Sequence, residues 1–292
     1  MLNHRAICLK SRDMAALPVL AVRMYLLIKH LIALICSSAM LLVLMLSTAS
    51  AENRCKTLVV SGNPEYPPLL WQDRDAPDTL IGVVPALLKE IVEPMGIIVE
   101  VRHVGSWARV QHLARAGELD MVAGAFMTTE RFGYMDYILP PILQLPTSVW
   151  VPAGQEFLYR HWPDLLGKTG STLIGNSFGQ NFDRYAEENL NIVPVRSIRQ
   201  SFLMAQAKRV DYVLYEKLQG QAKLAREGKA GQFTALDPPV SSEGLFFTFP
   251  KQSPCNNYDF REAVADTLYK LVQSGRVEEL IAEYNDLYVQ RN

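Results

Sequence analysis

The sequence predicts an α/β fold in which mostly parallel sheets, covered by helices on both faces, form two lobes. Three observations predict it. Short apolar runs alternate with amphipathic stretches of helix length over residues 57–126, and again over residues 173–227, which is the βα pattern of parallel sheets. Each series is followed by a further strand-like apolar run, at 147–151 and 244–250, so the chain crosses between lobes twice and the crossings form one hinge pair. The 241 residues from 52 onward suffice for two small lobes, each with its own core.

The elements are expected in the following order. A strand at 57–60 leads to a helix at 85–95, with Pro85 in its first turn and Gly96 as its stop. A strand at 97–101, a helix at 107–116 and a strand at 121–126 complete the first series, and the run at 147–151, after Pro140-Pro141, is the first crossing. The second series has strands at 173–175, 192–195 and 212–215 and helices at 182–189, 198–207 and 217–227. The run at 244–250 crosses back, and helices at 258–274 and 277–288 close the chain.

Residues 31–46 are mostly apolar, follow Lys29 and end in Ser47-Thr48-Ala49-Ser50-Ala51. A positive start, an apolar stretch and a small-x-small end mark a secretory signal, so residues 1–51 are expected to be a leader cleaved after Ala51, with Met24 as an alternative start. The apolar stretch is short for an uncleaved membrane anchor. Neither Cys36 nor Cys55 follows the small residue that a lipid-anchored signal requires. Losing five Lys/Arg and one Asp from 29 basic and 30 acidic residues leaves 24 against 29, a net charge of −5. That balance, with no basic stripe, excludes nucleic acid as a partner.

Met121 to Met127 forms an apolar run that breaks into Thr128-Thr129-Glu130-Arg131, a buried strand expected to deliver one guanidinium at its end. Arginine's planar fork of donors matches a carboxylate bidentately and stays charged; the plain alternative is a loop arginine. Gly175-Asn176-Ser177-Phe178-Gly179 has the G-x-S-x-G form of a hydrolase nucleophile elbow. All five histidines precede Ser177, however, so the order Ser, acid, His cannot be met. The same glycines suit a strand-to-helix turn that turns backbone N–H groups toward an anion, or a turn that serves packing alone. His103, His112 and His161 lack ligand spacing, and no cysteine pair has zinc-site spacing, so no metal or cofactor is implied.

Read in order with Asn63-Pro64-Glu65-Tyr66-Pro67-Pro68, Gly105-Ser106-Trp107, Gly175 to Asn181, Arg209 to Glu216 and the segment from Phe260 to Tyr288, these features resemble the polar amino-acid-binding group of periplasmic solute-binding proteins, family 3, of the type II two-lobe fold. The resemblance spans residues 55–289. It implies lobe 1 over 52–148 plus 249–292, lobe 2 over 149–248, and a monomer in the periplasm. The implied partners are an ABC permease or a membrane receptor and a small carboxylate-bearing ligand, a polar amino acid or derivative.

Residue by residue, the resemblance places Arg131 and the Gly179 turn, with Gln180 and Asn181, on the ligand's carboxylate, and Glu216 on its ammonium. Glu216 would otherwise be an ordinary helix-start acid. Tyr66 and Trp107 are implied to sandwich the ligand, or else to be core. Asn63 stands where many relatives carry Asp, and Gly124 and Phe126, on the strand before Arg131, complete the set. Three departures weaken the ammonium half: Phe126 replaces a hydroxyl residue, Val83-Val84-Pro85 replaces an Asp-containing helix start, and Leu69 replaces an aromatic. Cys55 and Cys255 both fall in lobe 1 and are expected to be bridged, two free thiols being the alternative. Two other readings stay open: a periplasmic cyclohexadienyl or arogenate dehydratase-like enzyme with Glu216 as proton donor, and a stand-alone sensory binding protein.

Overall fold

The computed structural model describes residues 55–290 together with Met24, residues 28–32 and Leu34 of the leader, which are helical. The cleavage site expected after Ala51 lies outside the described residues. Among the described residues no helix is long and apolar enough to cross a membrane. The chain divides into two units, Met1–Asn53 and Arg54–Asn292, and the second carries the fold.

The described residues of that unit form twelve strands and eight α-helices. Strands β1 (Thr57–Ser61), β5 (Ile98–Val101) and β6 (Met121–Phe126) pair in parallel, with β1 between the others. Strands β9 (Thr169–Leu173), β10 (Asn191–Val195) and β11 (Tyr212–Glu216) form a second parallel block, with β9 central. Between the blocks run two long antiparallel strands, β8 (Leu143–Pro152) and β12 (Phe233–Pro250). β12 pairs with β6 and β8 pairs with β11, so one sheet runs through both blocks, with β7 (Met135–Tyr137) beside β12. The two crossings are therefore longer than the apolar runs that signalled them. The reason lies in β12, where a register break between Leu236 and Ser241 absorbs Asp237-Pro238-Pro239, residues that in sequence look like a loop.

Helices α1 (Val83–Val92), α2 (Trp107–Ala116), α5 (Ile198–Gln206) and α6 (Lys217–Arg226) follow strands in the expected alternation, and α7 (Tyr258–Gln273) and α8 (Arg276–Gln290) end the chain. The bounds of α2 have a local cause: the Ser106 hydroxyl accepts from the Arg109 N–H at its start, and Gly117, at φ 74°, ends it. The strand expected at 173–175 instead ends at Leu173. Ile174 is exposed and Gly175 turns at φ 77°, so the apolar pair marks the start of a turn. The sequence reading also missed a three-stranded antiparallel sheet of very short strands, β2 (Glu65–Tyr66), β3 (Leu70–Gln72) and β4 (Leu80–Ile81). It positions Tyr66 and Leu70. Cys55 and Cys255 are joined by a disulfide that ties the start of β1 to the approach to α7.

Candidate functional site

Arg131 is not at a strand end. It lies in a one-turn helix, α3 (Thr129–Phe132), whose N-cap Thr128 accepts from the Arg131 backbone N–H at 3.2 Å. The break Thr128-Thr129-Glu130 is a capping sequence, so the strand stops at Phe126 and the turn carries the guanidinium inward, where the residue is only 4 % exposed. Arg131 Nη1 donates to the Phe126 carbonyl at 2.9 Å, and the guanidinium lies over the Trp107 ring, 5.4 Å from its centroid. Its Nη2 reaches the Gly175 carbonyl at 3.5 Å. That carbonyl also accepts from Trp107 Nε1 at 2.9 Å and Gln111 Nε2 at 3.1 Å, so one peptide oxygen after β9 gathers three donors carried by the first block. No carboxylate among the described residues pairs with Arg131.

Glu216 ends β11 and is 1 % exposed. It is the N-cap residue of α6 by backbone, but its side chain makes no capping bond to that helix, and its burial excludes a solvated helix-start acid. The Tyr66 hydroxyl hydrogen-bonds its carboxyl, while Oε2 has no partner in the protein. Burial pushes its pKa up to about 7, a rise that its own backbone N–H, Tyr66 and the distant charge of Arg131 only partly offset. Tyr66 is in turn held well above its ordinary value, first by burial and next by the Glu216 charge, so it stays a neutral donor.

Asn63, Tyr66, Trp107, Gly124, Phe126, Arg131 and Glu216 all line one cavity of about 20 Å³, room for one or two waters. Gly124 has φ 103° and is the unpaired residue where Ala125 faces Phe246 and Ala123 faces Phe247, a bulge that bends β6 beside Leu245. Tyr66 and Trp107 each pack in a hydrophobic core, as the second alternative had it, and each also lines the cavity. Asn63 Oδ1 accepts from the Glu65 N–H at 3.0 Å and so shapes the turn leading to Tyr66.

Gln180 and Asn181 are placed elsewhere. They open α4 (Gln180–Asn189), and Gln180 Oε1 accepts from the Thr129 N–H at 3.0 Å, a bridge between the blocks on an outer groove of about 510 Å³. Asn181 is exposed and lines neither space. In the turn before α4, expected to offer its N–H groups to an external anion, two of those groups are engaged within the chain, Phe178 by Asp183 and Gly179 by the Ser177 hydroxyl oxygen. Asp183 accepts from the Phe178 N–H at 2.7 Å and from the Ser177 hydroxyl, and Glu243 lies against Gly179. Sequence reasoning missed Gln111, although it sits one turn after Trp107 on the same helix face, and Asn176, which lines both the cavity and the outer groove and whose buried Nδ2 has no partner among the described residues. Among the described residues no cluster of His, Cys, Asp or Glu could hold a metal ion.

Two parallel blocks sharing a pair of long antiparallel strands, with an enclosed arginine from one block and an enclosed glutamate from the other on a single cavity, define a type II periplasmic binding fold. The chain belongs to the bacterial extracellular solute-binding proteins, family 3, whose family model matches residues 58–286. It is similar in structure to the amino acid ABC transporter substrate-binding protein AbpA of Streptococcus pneumoniae bound to L-arginine, with TM-score 0.67 and 19 % identity over 81 % of this chain and 97 % of that one. It is likewise similar to a mutant of ArgBP from T. maritima, with TM-score 0.65 and 20 % identity over 78 % and 95 %. A histidine kinase sensor domain also matches, with TM-score 0.65 and 18 % identity over 80 % and 97 %. Among curated proteins none matches the chain in sequence. The family is one of binding proteins, not of enzymes.

Proposed function

We propose that this chain is a periplasmic receptor for a small solute bearing both a carboxylate and an ammonium group, an amino acid or derivative, which it delivers as a monomer to an ABC permease. One observation carries the reading: Arg131 and Glu216 are both buried, both line the same cavity, and neither is ion-paired among the described residues. An unpaired charge removed from water costs several kcal/mol, and such groups concentrate where a ligand supplies the counter-charge. Arg131 then takes the carboxylate and Glu216 Oε2 the ammonium. Binding proceeds by hinge motion between lobe 1, residues 52–148 with 249–292, and lobe 2, residues 149–248, because both boundaries fall within β8 and β12, the strands the blocks share. The Glu65–Lys223 ion pair at 2.6 Å and the Tyr215 hydroxyl bond to the Glu65 carbonyl join the lobes around the cavity.

Thermal-shift screening tests this with amino acids, the matching acids without an amine, and the matching amines without a carboxylate. Compounds with both groups are expected to raise Tm. Equal shifts from the acids alone would remove Glu216 as an ammonium partner.

A further inference from the structure

The cavity fixes more than the two charged ends of its ligand. Arg131 and Glu216 are its only fully charged residues, so with both ionised the lining is neutral. One part of the wall is the buried apolar set Leu69, Leu70, Val84 and Leu245, while Asn63, Tyr66, Asn176 and Ser177 bring polar but uncharged groups to the same space. A ligand with one positive and one negative charge leaves every charge in this enclosure matched. One more cation, as in arginine or lysine, or one more anion, as in glutamate, would find no second counter-charge among the residues that line the cavity, a costly arrangement for a charge taken out of water. The nearby acids do not change this. Glu130 faces the outer groove and pairs with Arg115, and Asp183 is engaged by Ser177 and the Phe178 N–H.

Two residues on the cavity each carry a buried polar atom with no partner among the described residues, Glu216 Oε2 and Asn176 Nδ2. The first accepts and the second donates, so they call for opposite groups on one ligand. Glu216 takes the ammonium, which leaves Asn176 to donate to the carboxylate beside Arg131, whose Nη2 already reaches the carbonyl of the preceding residue, Gly175.

We infer that the ligand is a compact, net-neutral amino acid with an apolar side chain, and that the Asn176 side-chain amide is a specificity residue binding its carboxylate. This rests on the proposed pairing of Arg131 and Glu216 with a zwitterion. It departs from the polar amino acid that the family resemblance implies, since nothing polar waits for the side chain along the Leu69–Leu70–Val84–Leu245 wall.

Calorimetric titration of the unmodified protein with L-alanine, L-valine, L-arginine and L-glutamate decides the ligand class without any variant. Alanine or valine is expected to bind at least tenfold more tightly than arginine and glutamate. Arginine or glutamate binding as tightly as either overturns this inference while leaving the carboxylate and ammonium pairing intact. Binding of none of the α-amino acids overturns the pairing itself, and the inference with it. For the residue, Asn176→Ala should weaken the preferred ligand at least tenfold and Asn176→Asp further still, because a carboxylate would then face a carboxylate. Unchanged affinity in a folded Asn176→Ala protein, or Asn176→Asp binding as well as Asn176→Ala, removes Asn176 from the site.

Discussion

Replacing Glu216 by glutamine keeps the shape of an enclosed side chain and deletes its charge, which makes the cost of holding that charge measurable. In the unfolded chain the carboxyl titrates near 4.5, and in the fold burial holds it at about 7. Between those values the folded protein keeps a proton that the unfolded chain has released, so stability falls as pH rises through this window and levels off above it. The difference of about 2.5 units, at about 1.4 kcal/mol per unit, amounts to roughly 3 kcal/mol against a neutral isostere. Glu216→Gln should therefore match the parent near pH 4.5 and be about 3 kcal/mol more stable at pH 8, a Tm gain of roughly 6–12 °C for a chain of this size. Urea unfolding of both proteins at pH 4.5, 6 and 8, without added ligand, reads the difference directly. Stability profiles that stay parallel across this range would refute the reasoning, because they would mean that the carboxylate is solvated or paired in the fold. The same variant should lose affinity for any ligand with an ammonium group.

Reducing the Cys55–Cys255 disulfide, which closes a sequence separation of 200 residues, should lower unfolding stability by roughly 3–5 kcal/mol, read as a shift of the urea midpoint under reducing conditions. Gly179→Ala should cost about 1–3 kcal/mol, because φ 91° with ψ 144° is a region open essentially to glycine; an unchanged melting curve would contradict this. Intact mass of the exported protein should place its N-terminus at Glu52, and a chain retaining residues 31–46 would contradict export by cleavage after Ala51.

The sequence was most legible where a local cause set the structure. Ser106 and Gly117 bracket α2 by capping and by left-handed geometry, both of which can be read from neighbouring residues. β9 was misplaced because its support is tertiary: Ser171 bonds Ser201 and Thr172 bonds the Leu214 carbonyl, so polar residues form a buried strand while the apolar Ile174 is exposed. The short strands β2 to β4 are two or three residues long and too brief for any periodicity to show. At the site, Arg131 and Glu216 could be singled out because strand-to-helix junctions place such groups near a cleft. Local signals say nothing of what the rest of the chain does around them. Asp183 takes the Phe178 N–H of the turn before α4, Gln180 bridges to Thr129, and the unpartnered amide of Asn176 becomes visible only once β6, β11 and the Gly175 turn meet around one space.

The central claim is that Arg131 holds the ligand's carboxylate inside the enclosed cavity, and calorimetry on Arg131→Ala tests it most directly. With the best amino acid from the screen, and a melting curve confirming that the variant is folded, affinity should fall by on the order of 2–5 kcal/mol, the scale for breaking an enclosed charge pair. An affinity within threefold of the parent would contradict the claim and leave Arg131 as a structural link between Phe126, Trp107 and Gly175.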